Sequence, residues 1–336
     1  MKDKACFLGA ENQIKRVYRE TMPKLLQEEL EFPGEIINLN NIEKYKDFTG
    51  ECKYIFSTWG MVSGAADYFK NCEVIFYGAG SVQNFAREYL ERGIKISSAW
   101  VANGVPVAEF TVSQILLACK GFFKIMGLNR IKNFDGWREA GKTAGNYKGN
   151  YNQKIGILGA GTIGRRVIDY LKRLDIKAEI LVHDPYYSNE AADKDGVRKA
   201  SLEEIFKTCG VISNHIANLP ATVGMINKEH FSLMQDYGTF INTGRGAQII
   251  AQDMIDALKN NKSLTAVLDV TDPEEPPKDG SELYDLDNVI LTPHIAGCTG
   301  DEVHRMAEWM HGEYKLYISE KKLEYEVTAD MLKYMA

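Results

Sequence analysis

The stretch KIGILGAGTIGRRV, residues 154–167, sets Gly159, Gly161 and Gly164 as Gly-x-Gly-x-x-Gly, directly after an apolar run and at the start of a helical pattern. Gly159 permits a tight turn, Gly161 lets backbone approach a diphosphate with no Cβ in the way, and Gly164 allows close packing of helix on strand. The helix start, with the amides of Thr162 and Ile163, offers unpaired N–H groups and a partial positive charge. Three glycines at these spacings also arise in ordinary turns, so the context decides. The next apolar run, EILVHD, ends in Asp184, where an acid suits a ribose diol. Pro185, Tyr186 and Tyr187 follow with no Arg to accept a 2′-phosphate, which favours NAD over NADP. Arg165 and Arg166 are candidates for phosphate oxygens or plain solvated helix residues.

Outward from this stretch, strand and helix patterns alternate on both sides. Downstream come VISNHI, TFINT, AVLDV and VILTPH; upstream come CKYIFST (52–58), CEVIFY (72–77) and IKISSAW (94–100), with a helical pattern from Ser81 to Arg92. The expected fold is α/β with two doubly wound parallel sheets. Between them, a helix from Val105 to about Gly127 is apolar around most of its circumference, which predicts burial on several sides. Residues 129–152 show no sustained period and read as a wrapping loop. A helix over 301–318 closes the pattern, with no strand expected after it, and should pack back on the first domain.

Three of the later runs end in residues suited to redox chemistry: Arg245 after TFINT, Glu274 after AVLDV and His294 after VILTP. Ligands of open parallel sheets collect beyond the carboxyl ends of the strands, so a cation, an acid and an imidazole there can meet one substrate.

Composition narrows the field. The 336 residues are 45% hydrophobic and 26% charged, ordinary globular material for about two domains. A net charge of -6 without a basic block argues against nucleic acid. The N-terminus returns to charge before accumulating a signal-like apolar core, and no apolar run approaches about 18 residues, so the expectation is a cytoplasmic protein without a membrane partner. Six scattered cysteines show no Cys-x-x-Cys pair and no His at ligand spacing; reduced thiols and no metal are expected.

The chain resembles the D-isomer-specific 2-hydroxyacid dehydrogenases through motifs spread over most of its length. They are ERGIKISSAW, VPVAEFTVSQILLA, ILGAGTIGRRV with Asp184, SNHIANLPATVGMIN, INTGRGAQI, LDVTDPEEPP and LTPHIAGCT. The resemblance implies two Rossmann-like domains, with a coenzyme domain (102–298) inserted into a substrate domain made of 1–101 and 299–336, and closure of the two over the substrate. It implies hydride transfer between NADH and a small 2-oxo or D-2-hydroxy acid. His294 would be the acid/base, since an alkoxide formed by hydride addition must receive a proton. An acid beside it would stabilise the imidazolium, and Arg245 would bind the substrate carboxylate and carbonyl with its planar fork.

The acid is ambiguous. Counting from Asp269 selects Glu274, adjacency to Pro276 selects Glu275, and reach from the strand end favours Glu274. Asp269 resembles the residue that holds the nicotinamide carboxamide, and Thr243 and His215 lie on the cofactor side. His215 stands where the family usually has His-x-Pro, but Ala217 replaces the proline, so a structural role is favoured over acid/base work. In the first domain, Ala79 and Gly80 of YGAGS would offer amides to the carboxylate, with Trp59 shaping the pocket, although the family's Asp soon after these glycines is absent. The long apolar helix, in the region that forms a twofold dimer in the family, predicts a homodimer. Alternatives on the same fold are an NAD-sensing corepressor, a formate or phosphite dehydrogenase, and a hydrolase that retains NAD. Which oxo acid is used does not follow from spacing.

Overall fold

The computed structural model describes residues 2–129, 133–273 and 275–333. The chain divides into two compact units, Met1–Gly104 with Cys298–Ala336, and Val105–Gly297.

The first unit contains β1 (Asp3–Phe7), β2 (Leu30–Glu31), β3 (Tyr54–Ser57), β4 (Val74–Tyr77) and β5 (Lys95–Ser98). The sheet runs β5, β4, β3, β1, β2, all parallel, with a short strand Glu326–Val327 added antiparallel to β5. This is a doubly wound order with its reversal between β3 and β1. The residues of β3 and β4 are buried throughout because helices cover both faces, which is why they read as unbroken apolar runs. One face packs Val17, Tyr18, Met306 and Met310, the other Ile42, Phe69, Phe85 and Tyr89.

The second unit contains β6 (Tyr151–Leu158), β7 (Lys177–His183), β8 (Arg198–Lys199), β9 (Val211–Asn214), β10 (Thr239–Asn242), β11 (Thr265–Leu268) and β12 (Val289–Leu291). All are parallel, in the order β12, β11, β10, β9, β6, β7, β8. The direction reverses between β6 and β9, so the glycine turn after β6 lies at the switch point.

Several expectations need correction. The opening segment, treated in the sequence only as too charged for a signal, supplies β1 between β3 and β2. The Ser81–Arg92 helix forms only over Ala86–Leu90, because the hydroxyl of Ser98 takes the carbonyls of Ala79 (2.9 Å) and Gly80 (2.8 Å) that an earlier helix start would use. The single apolar helix is two, Trp100–Cys119 and Phe122–Asn129, separated at Gly121 with φ +69°. Trp100–Cys119 also has the length and hydropathy of a membrane span, contrary to the reading of the apolar runs; 56% of that stretch is buried within the protein. The supposed loop contains a helix, Phe134–Ala144, whose start is capped by the Asn133 side chain accepting from the Gly136 amide at 2.7 Å. Glycines at 136 and 141 mask its period. A strand does follow the last helix, Glu302–Ile318: buried Glu313 accepts from the amides of Glu324 and Tyr325 and draws the chain back to β5.

Candidate active site and cofactor loop

Beyond β6, Gly159 has φ +88°, and a Cβ there would lie 2.7 Å from the carbonyl oxygen of His215. A Cβ on Gly164 would lie 2.0 Å from the carbonyl oxygen of Gly159. These two glycines are required by close backbone approach. Gly161, the N-cap of the helix Thr162–Arg173, differs: a Cβ there would meet nothing within 4 Å. Open space in front of a helix start is what a diphosphate needs, so the residues present fit a dinucleotide. Asp184 borders the same loop, accepting from the Ala160 amide (2.7 Å) and the Tyr186 amide (2.8 Å). Each carboxylate oxygen keeps a lone pair for a ribose hydroxyl. Arg165 is turned to Asp195 at 3.3 Å and to the Tyr187 ring.

His215 closes the other side of the glycine turn. Its Nε2 shares a bond with the Ser213 hydroxyl at 3.0 Å, while Nδ1 is buried with no hydrogen-bond partner among the described residues. Burial lowers its pKa to about 4, so the imidazole is neutral near pH 7 and unsuited to donating a proton there.

Beyond β10, the Thr243 hydroxyl bonds that of Thr111 on the long helix at 2.9 Å. Arg245 is half-buried, with Nη1 donating to the Gly244 carbonyl at 2.8 Å; among the described residues no carboxylate pairs with it. Gly246 presses against the next loop, since a Cβ would lie 2.2 Å from the carbonyl carbon of Thr271.

Beyond β12, His294 adopts φ +53° and its Nδ1 contacts Oε1 of Glu275. The preferred acid, Glu274, lies outside the described residues, and the carboxylate at the imidazole is that of Glu275. Asp269 was expected to hold a carboxamide or to be a solvated terminus. The residue is 2% exposed, which excludes the solvated terminus, and its carboxylate accepts from the Thr292 hydroxyl (2.6 Å) and the amides of Ile295 (2.8 Å) and Ala296 (2.9 Å). It thereby fixes the loop that carries His294, a connection with no signal in residue order. Because β10, β11 and β12 are adjacent and parallel, Arg245, Asp269 and His294 share one carboxyl edge of the sheet. That edge offers an imidazole beside a carboxylate, and a guanidinium with no carboxylate partner among the described residues.

In the first unit, Ala79 is fully buried and its amide already donates to the Tyr77 carbonyl at 2.9 Å, so it does not serve as a donor in this conformation. Among the described residues no backbone carbonyl accepts from the Gly80 amide. Trp59 packs at the edge of both core faces with Arg16 over its ring.

The family profile described as D-isomer specific 2-hydroxyacid dehydrogenase, NAD binding domain, matches residues 114–296, more than half of the chain. The chain belongs to this family. Its second unit is accordingly an NAD-binding domain. A Bacillus subtilis protein named provisionally as a 2-hydroxyacid dehydrogenase is 29% identical over 242 residues, 69% of this chain and 66% of its own. D-3-phosphoglycerate dehydrogenase of Archaeoglobus fulgidus is 30% identical over 239 residues, 68% of this chain and 42% of its own. The match thus spans less than two thirds of these relatives. Among solved structures, D-mandelate dehydrogenase of Rhodotorula graminis shares the fold with a TM-score of 0.78 over 97% of this chain and 98% of that one, at 19% identity.

Proposed function

We propose that the protein is an NAD-dependent dehydrogenase acting between a small 2-oxo acid and the D-2-hydroxy acid. The observation that carries this is the His294–Glu275 pair on the same sheet edge as Arg245, in the domain that holds the glycine loop. NADH, when bound, supplies a hydride to the carbonyl carbon. Arg245 binds the carboxylate of the acid and polarises its carbonyl. With Nδ1 engaged by Glu275, His294 presents Nε2 and delivers the proton to the developing alkoxide. Glu275 holds the ring and stabilises its charged form. A neutral His215 leaves His294 as the proton donor.

The test is NADH oxidation against glyoxylate, hydroxypyruvate, pyruvate and bulkier 2-oxo acids, with NADPH as comparison. His294→Ala is expected to lower kcat by about 10²- to 10⁴-fold with NADH binding retained. Absence of turnover on every acid, with NADH bound, would move the reading to a nucleotide sensor.

The proposal extends to assembly and location. Leu117, Phe122, Met126, Phe134 and Trp137 are exposed on the helices from Trp100 to Ala144, and their apolar surface fits a twofold contact between two copies. Light scattering should return twice the chain mass; a monomer removes this part. The cysteines, scattered and with no disulfide among the described residues, fit a reducing, cytoplasmic setting.

A further inference from the structure

Both main-chain polar groups of Arg245 bond to buried side chains. Its N–H donates to Oε1 of Gln248 at 3.2 Å, and its carbonyl accepts from Nδ2 of Asn242 at 2.9 Å. The two amides are joined through a third: Nδ2 of Asn214 donates to Oδ1 of Asn242 (3.0 Å) and to Oε1 of Gln248 (3.3 Å). Asn242 Oδ1 also accepts from the Gly244 amide at 3.1 Å, and Asn214 Oδ1 from the Ile216 amide at 3.2 Å. Asn214, Asn242 and Gln248 are each 0% exposed.

Three wholly buried amides are costly to desolvate, and apolar residues would fill the space more simply. What they provide is direction. Turning the Gln248 amide over would set its NH₂ against the Arg245 N–H and the Asn214 NH₂, so the network admits one orientation. It grips the backbone on either side of one residue, the guanidinium carrier. Asn214 also ends β9, directly before the His215 carbonyl that abuts Gly159. The mount of the arginine is thus continuous with a wall of the cofactor turn.

We infer that Gln248, through the Asn214–Asn242–Gln248 network, is a positioning residue that fixes Arg245 for the substrate carboxylate. This rests on the role proposed above for Arg245. Gln248 is fully buried and bonds the Arg245 main chain, so its effect is expected on the affinity for the acid and not on that for NADH.

The experiment compares Gln248→Met, which keeps the length but loses both acceptor contacts, with Gln248→Glu, which keeps an acceptor oxygen for Arg245 and Asn214. Steady-state kinetics use the best of glyoxylate, hydroxypyruvate and pyruvate, and NADH binding is read by fluorescence. The expected result is a KM for the acid raised at least about tenfold in Gln248→Met, near-normal KM in Gln248→Glu, and an NADH Kd within about twofold in both. A wild-type KM in a Gln248→Met protein that binds NADH overturns the inference. If Gln248→Met does not fold, Gln248→Glu decides: a raised KM with NADH bound overturns it, and a wild-type KM supports it. A wild-type protein that reduces none of these acids sinks the functional proposal and this inference with it, whereas failure of the variants alone sinks only the inference.

Discussion

Two strand-end turns built from small residues stand at the carboxyl edges of the two sheets, Gly78-Ala79-Gly80 after β4, one strand away from the switch point of its sheet, and Gly159-Ala160-Gly161 after β6, at the switch point of the other. In the second, a twelve-residue helix begins immediately after the third small residue, so Gly161 faces open space with unpaired amides behind it. In the first, Ser98 takes the carbonyls of Ala79 and Gly80, Tyr77 takes the Ala79 amide, and a five-residue helix starts only at Ala86. Composition alone makes the two look alike. A phosphate cradle requires that the helix begin at the turn, because only then do several N–H groups converge without carbonyl partners.

Substituting the glycines should separate the two turns most strongly. Gly164→Ala must displace the Gly159 carbonyl and is expected to destabilise the second unit by about 3 kcal/mol and abolish tight NADH binding. At the other turn, a Cβ on Gly80 meets only the Asn103 amide nitrogen at 3.6 Å. Gly80→Ala should therefore change stability by no more than about 0.5 kcal/mol. Thermal melting with NADH titration checks both, and equal sensitivity at the two turns would break the comparison.

A second test stays on the carboxyl edge of the coenzyme sheet. Glu275→Gln is expected to reduce kcat roughly 10- to 100-fold with unchanged NADH affinity, and Glu274→Gln to leave kcat close to wild type. The reverse order would restore the assignment favoured by counting from Asp269.

The smallest effect concerns the wall of the cofactor turn. His215 has a folded pKa of about 4, depressed by burial, so the unfolded chain binds its proton first as pH falls. Stability is fully present above about pH 6.5 and declines as pH falls toward 4, by about 1–2 kcal/mol at pH 5. Denaturant unfolding of wild type and His215→Asn at pH 7 and pH 5 measures this. The variant should lack that part of the decline; an identical pH dependence would show that the imidazole is not buried neutral.

Motif order, the NAD-binding turn, Asp184 and the imidazole at position 294 follow from the sequence alone, because each depends on a strand end and its next few residues, where backbone geometry is nearly set by local pattern. Runs such as VISN and TFIN announce a sheet covered on both faces. Tertiary structure alone decided the rest: β1 beside β3, the helix hidden by Gly136 and Gly141, the contact of Glu275 with His294, the turn of Asp269 toward the histidine loop, and the amide mount of Arg245. These are meetings of groups far apart in the chain, or a helix whose period glycines mask. Local propensity carries no information on either, since the bonds that settle them, Asp269 to Ile295 and Ala296 or Asn214 to Gln248, exist only after the strands have been laid side by side.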